Sequence, residues 1–192
     1  MNNDEYWMQQ ALALAQQAAH EGEVPVGALL IDKNQRLIAK AYNQTIQQTD
    51  PTAHAEILVL RQAALIKNNY RLPGTTLYCT LEPCAMCAGA IIQARLDRVV
   101  FAAYDEKAGA ACSVFQLLNH ASLNHHANFI GNILADQSIA LMQNFFRNKI
   151  YISNFRPIQF KLNICSFFFI TMDFAFIEII LAIIKCQNIF AR

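Results

Sequence analysis

The chain has 192 residues, about the length of one ordinary domain, and is 55% hydrophobic and 15% charged. Lys and Arg number 15 against 14 Asp and Glu, a formal net charge of +1. A chain this apolar and weakly charged collapses, so disorder is excluded, and six Gly and five Pro are too few for a collagenous or low-complexity sequence. Near-neutrality offers no electrostatic sign of nucleic acid, although a local patch suffices for RNA.

The polar, acidic start Met1-Asn2-Asn3-Asp4-Glu5 lacks the basic and apolar regions of a secretory signal. A cytoplasmic location is therefore expected, with the six cysteines reduced, so their spacing is read as metal or catalytic chemistry before disulfides. Trp7, Met8, Ala11, Leu12, Leu14, Ala15 and Ala18 recur at helical spacing, which predicts a helix over 4–21 stopped by Gly22. Val26–Asp32 and Arg36–Tyr42 flank a polar Lys33-Asn34-Gln35 turn and predict a hairpin. A polar loop with Asp50-Pro51 follows, then a helix from about His54 to Ile66, a turn at Pro73-Gly74 and a buried strand Thr75–Leu81. Glu82-Pro83 opens a helix from Cys84 to about Arg95, with Pro83 near the first helical position. Strands are expected at Arg98–Ala103 and Phe129–Leu134, and a closing helix over 136–148. The order predicts an α/β fold of three layers, a mixed central sheet flanked by helices.

Two segments carry chemistry. His54-Ala55-Glu56 and Glu82-Pro83-Cys84-Ala85-Met86-Cys87 each sit where a strand or loop enters a helix. Cys84 and Cys87, three apart at a helix N-terminus, share one face, where the helix dipole favours thiolate. With the His54 imidazole they make three metal ligands and leave a fourth, open position; structural zinc sites close with four protein ligands, so the open set points to catalysis. A zinc ion there lowers the pKa of a bound water and supplies the nucleophile. Glu56, two residues past the histidine, stands where a proton shuttle belongs. Either motif alone is common; their order, with proline directly before the first cysteine, matches the H-x-E…P-C-x-x-C signature of zinc nucleobase deaminases, of which bacterial tRNA adenosine deaminases are a standard example.

Residues 5–150 resemble that bacterial tRNA adenosine deaminase family of the cytidine/deoxycytidylate deaminase superfamily. The resemblance rests on the zinc signature and on Glu23-Val24-Pro25-Val26-Gly27-Ala28, Asp50-Pro51-Thr52-Ala53-His54-Ala55-Glu56, Thr80–Ala90, Arg98-Val99-Val100-Phe101 and Phe145-Phe146-Arg147. It implies a cytidine-deaminase-like fold, a homodimer, one zinc per subunit on His54, Cys84 and Cys87, Glu56 as proton donor and acceptor, and hydrolytic conversion of adenosine to inosine at the wobble position of a tRNA anticodon. It also implies that Asn43 contacts the target base, and that Asp105, in the loop Asp105–Ala110, and Asn124 contact RNA. The alternative within the same metal motif is a deaminase of free guanine, cytosine or cytidine. Glu106, Cys112 and Tyr104 depart from the family's usual residues, and none belongs to the metal signature.

The last stretch, residues 151–192, differs in composition from the body 1–150: it has no glycine and holds 8 of the 13 phenylalanines. Ile164–Ile184 is long enough to cross a bilayer, but the cost of Asp173 and Glu178 cancels most of the gain from its apolar residues. Membrane association of this tail is therefore not favoured; a non-native extension is the other open reading.

Overall fold

The computed structural model describes residues 3–154. A five-stranded sheet forms the centre, with strand order β2-β1-β3-β4-β5. β1 (Gly27–Asp32) and β2 (Leu37–Tyr42) form the expected hairpin. Its turn is closed by the Asp32 carboxylate, which accepts from the Asn34 and Arg36 N–H groups at 2.8 and 2.9 Å, and by Gln35 in the left-handed region at φ 61°. β3 (Thr75–Leu81) pairs antiparallel to β1 and parallel to β4 (Arg98–Ala103), and the short β5 (Asn128–Ile130) pairs parallel to β4. The sheet is mixed, as expected.

Strand alternation assigns side chains to two cores. Leu29 and Ile31 of β1, Tyr78 of β3, and Val100 and Ala102 of β4 point to one side, where Met8, Ala11 and Leu12 of α1 (Asn3–His20) cover them. Ala28, Leu30, Leu77, Cys79, Val99 and Phe101 point to the other side, against α2 (Ala55–Lys67) and α3 (Ala85–Gln93). Gly27 lets α1 rest directly on β1: a Cβ there would lie 2.2 Å from the Ala11 carbonyl oxygen. α4 (Ala135–Asn154) lies against α1, β3 and β4, and the Ser138 hydroxyl donates to the Thr80 carbonyl at 2.5 Å.

Three boundaries differ from the sequence reading. α3 starts at Ala85 with Cys84 as its cap, so Pro83 precedes the cap instead of occupying the first turn. The fifth strand stops at Ile130, because Asn132 and Leu134 adopt φ 69° and 57° and turn the chain away before α4. α4 runs on to Asn154, past the expected end at 148. Among the described residues no helix is long and apolar enough to cross a membrane. The apolar segment Ile164–Ile184 lies outside the described residues.

Candidate active site

α2 and α3 bring their N-termini together on one side of the sheet, and the chemistry-bearing residues occupy those ends. His54 is the cap of α2 and Cys84 the cap of α3, both in extended backbone, with φ −71° and ψ 150° and 173°, respectively. Cys87 follows in the first turn of α3 and is buried. His54 Nδ1 lies 3.7 Å from Cys84 Sγ and 3.6 Å from Cys87 Sγ. A tetrahedral zinc ion with Zn–N and Zn–S bonds of ordinary length holds such donor atoms roughly 3.6 Å apart. The three residues therefore fit zinc in both donor chemistry and spacing, and together they are the metal-capable group among the described residues.

The electrostatics of the trio are those of groups sharing too few protons. The Cys87 thiol donates toward Cys84 and, with help from His54, draws the Cys84 thiol down to about 4. The same sharing, together with burial, pushes Cys87 up. The sequence reading favoured thiolate at both sulfurs; two sulfurs side by side do not both lose protons without a cation between them. The contact with Cys84 raises His54, assisted by the negative charge of Glu56 and opposed by burial.

Glu56 points into the interior from the first turn of α2 and is only 3% exposed. Burial pushes its carboxyl up to about 6. Its Oε2 is buried without a hydrogen-bond partner, the one such side-chain atom among the described residues. A buried carboxylate oxygen left unpaired is costly in a purely structural role. Beside a metal-capable trio, it has the position of a group that handles protons during a reaction.

The remaining sequence candidates lie on other elements than the trio. Asn43 is buried at 5% exposure just past β2, its N–H donating to the Val26 carbonyl at 2.9 Å. Asp105 begins the loop after β4 and accepts from the N–H groups of Lys107 and Ala108. Asn124 is exposed in the loop before β5, where its carbonyl accepts from Arg95 at 2.9 Å.

Two further carboxylates, absent from the site read from the sequence, organise the loops beside Asn43 and Asp105. Glu23, fully buried, accepts from the N–H groups of Ile46 and Gln47 at 2.8 Å each and from the Thr45 hydroxyl, shaping the loop that follows Asn43. Glu82 accepts from the N–H groups of Ala111, Cys112 and Ser113 and of Asp105. Burial opposes charge on Glu82, but the Ser113 hydroxyl and these N–H groups outweigh it and hold the carboxyl below its ordinary value. Neither spacing nor periodicity signals such contacts, since every hydrogen-bond partner of the Glu82 carboxylate is at least 23 residues away in sequence.

Comparison with known proteins places this geometry among deaminases. A family model described as the cytidine and deoxycytidylate deaminase zinc-binding region matches residues 1–103. The chain is 45% identical over 146 residues to a tRNA-specific adenosine deaminase of Haemophilus influenzae, covering 76% of this chain and 84% of that one. It is 40% identical over 147 residues to the tRNA-specific adenosine deaminase of Bacillus subtilis, covering 77% and 91%. A solved structure from work on A-to-I editing by tRNA:A34 deaminases superposes with a TM-score of 0.68 at 39% identity, over 71% of this chain and 98% of that chain. A guanine deaminase from Nitrosomonas europaea shares the fold, with a TM-score of 0.63 at 24% identity over 73% and 83%.

Proposed function

The chain belongs to the tRNA-specific adenosine deaminases, within the family that carries the cytidine and deoxycytidylate deaminase zinc-binding region, and from that premise we propose that it converts adenosine to inosine at the wobble position of a tRNA anticodon. The observation that carries this reading is the buried Glu56 carboxylate, its Oε2 without a hydrogen-bond partner, beside the His54–Cys84–Cys87 trio. His54, Cys84 and Cys87 would hold one zinc per subunit. Bound there, zinc supplies an activated water as nucleophile.

Glu56 does the proton work. Its carboxylate accepts one proton from the water as oxygen bonds to C6 of the adenine and passes it to the ring nitrogen; it then takes the remaining proton from the new C6–OH and passes it to the amine, which leaves as ammonia while the C6 carbonyl forms. Water and adenosine become inosine and ammonia. A carboxyl near 6 suits both halves of that task, because it accepts and returns a proton near neutral pH. Asn43 would orient the base, and Asp105 and Asn124 would contact the flanking nucleotides. The base reaches the site already unstacked from a single-stranded anticodon loop, so little energy is spent extruding it. A homodimer working in the cytoplasm fits this role.

The test is a deamination assay on an arginine-type anticodon hairpin beside free adenosine, guanine, cytosine and cytidine. The proposal expects turnover of the hairpin and little of free adenosine, because contacts to the loop position the base. Turnover of free guanine or cytidine, with none of the hairpin, would move the chain to a free-base activity.

A further inference from the structure

Glu82 is 2% exposed and lies immediately after β3, two residues before Cys84. All its side-chain hydrogen bonds reach across to one segment. Oε1 accepts from three consecutive N–H groups, Ala111 at 3.0, Cys112 at 2.8 and Ser113 at 3.0 Å. Oε2 accepts from the Asp105 N–H at 3.1 Å and from the Ser113 hydroxyl. Three successive N–H groups converging on one oxygen make an anion-binding nest, here filled by the protein's own carboxylate.

The loop is fitted to this anion. A Cβ on Gly109 would lie 2.4 Å from the Glu82 carboxylate, so only glycine leaves it room. Gly109 also pairs antiparallel with Cys84, and the Ala110 N–H donates to the Pro83 carbonyl at 2.8 Å. None of the Glu82 carboxylate's hydrogen-bond partners lies in α3, so it does not serve as that helix's cap. Its carboxylate joins the backbone that delivers a metal-capable cysteine to the start of the loop that carries Asp105.

We infer that Glu82 is a positioning residue for the RNA substrate: it locks the loop Asp105–Ser113 to the Cys84 segment, so that the substrate-facing wall and the His54–Cys84–Cys87 trio keep a fixed register. The inference rests on the tRNA reading for what the loop faces, while the locking itself does not. Glutamine at 82 keeps an oxygen for the nest but turns an amide donor toward the Asp105 N–H, so the lock is weakened where Asp105 begins.

The experiment compares zinc-loaded wild type, Glu82→Gln and Ser113→Ala for zinc content, for KM and kcat on the anticodon hairpin, and for backbone amide exchange over 105–113. Glu82→Gln should retain its zinc, exchange the Asp105 amide faster, and raise KM about tenfold, the scale of one lost charge-assisted hydrogen bond, with kcat changed by no more than about threefold. Ser113→Ala should shift the same quantities in the same direction by less. A fall in kcat that tracks zinc loss at unchanged KM would overturn the inference and leave Glu82 as support for the metal ligand alone. Unchanged KM and exchange would overturn it too. If Glu82→Gln does not fold, Ser113→Ala decides: a raised KM with zinc retained supports the lock, and an unchanged KM contradicts it. If wild type does not act on the hairpin, the tRNA reading has failed, and the exchange data still say whether the lock exists.

Discussion

His54 Nδ1 lies 3.6 Å from Cys87 Sγ although 33 residues separate them. The contact exists because two helices start side by side, α2 presenting His54 from its cap and α3 presenting Cys84 from its cap and Cys87 from its first turn. That placement makes the zinc prediction direct. Cys84→Ala or Cys87→Ala leaves two donors and should reduce bound zinc, measured by elemental analysis of the purified protein, to a small fraction of wild type, because among the described residues the metal-capable group has no fourth protein ligand to compensate. Full zinc content in either variant would remove that cysteine from the site.

Burial of Glu56 has a consequence for stability when the metal is removed. Its folded-state carboxyl is near 6, above its ordinary 4.5. Between those values the native state holds more protons than the unfolded chain, so metal-free protein loses stability as pH rises from about 4.5 to about 6 and stays at the lower level above that. Glu56→Gln removes this loss. Metal-free Glu56→Gln should be more stable than metal-free wild type at pH 7 by up to roughly 2 kcal/mol, with the difference vanishing near pH 4. Urea denaturation at the two pH values reads it, and equal stability at pH 7 would mean that burial does not raise the Glu56 carboxyl.

Asp4 ties α1 to the sheet. It accepts from both Arg98 guanidinium nitrogens, at 2.9 and 2.7 Å, and from the Tyr78 hydroxyl at 2.7 Å. The hydrogen bonds from Arg98, then that from Tyr78, hold its carboxyl below the ordinary value despite partial burial. The stabilisation is thus fully present above the unfolded-chain value near 3.8 and is lost as pH falls through the lower folded value. Asp4→Asn should cost about 1–2 kcal/mol at pH 7. Denaturation measurements should show that deficit shrinking in acid, with zinc content unaltered.

The tail is a separate proposal. Residues 151–192 carry no metal-ligand pattern, and the family resemblance ends near residue 150. Because α4 continues to Asn154, the informative truncation ends at Phe155, not at Lys149. The shortened protein should keep its zinc and hairpin deamination and give a higher soluble yield, since an isolated apolar segment of this length must be buried, inserted or aggregated. Loss of zinc or of folding would show that the tail packs on the body. A full-length chain that stays with membranes through salt and alkali extraction would favour insertion.

Much of this arrangement was legible in the sequence because it is written at short range. The unbroken apolar runs Ala28–Ile31 and Val99–Ala102 mark strands covered on both faces, and the three-residue spacing of Cys84 and Cys87 puts both on one helix face. Long-range partnerships were not legible. Nothing near Glu23 or Glu82 states that each carboxylate will anchor a distant loop. The end of the fifth strand was missed because it depends on left-handed backbone at Asn132 and Leu134, which an apolar run such as Ile133-Leu134 conceals.

The central claim is that Glu56 moves protons for deamination at one nucleotide of a tRNA. Its most direct measurement is nucleotide-by-nucleotide detection of inosine in an arginine-type tRNA after incubation with zinc-loaded wild type or zinc-loaded Glu56→Gln. The account predicts inosine at the wobble position alone with wild type, and a rate lower by roughly 10²–10⁴ with Glu56→Gln at equal zinc content. Inosine formed at near wild-type rate by Glu56→Gln, or no inosine at that position with wild type, would contradict it.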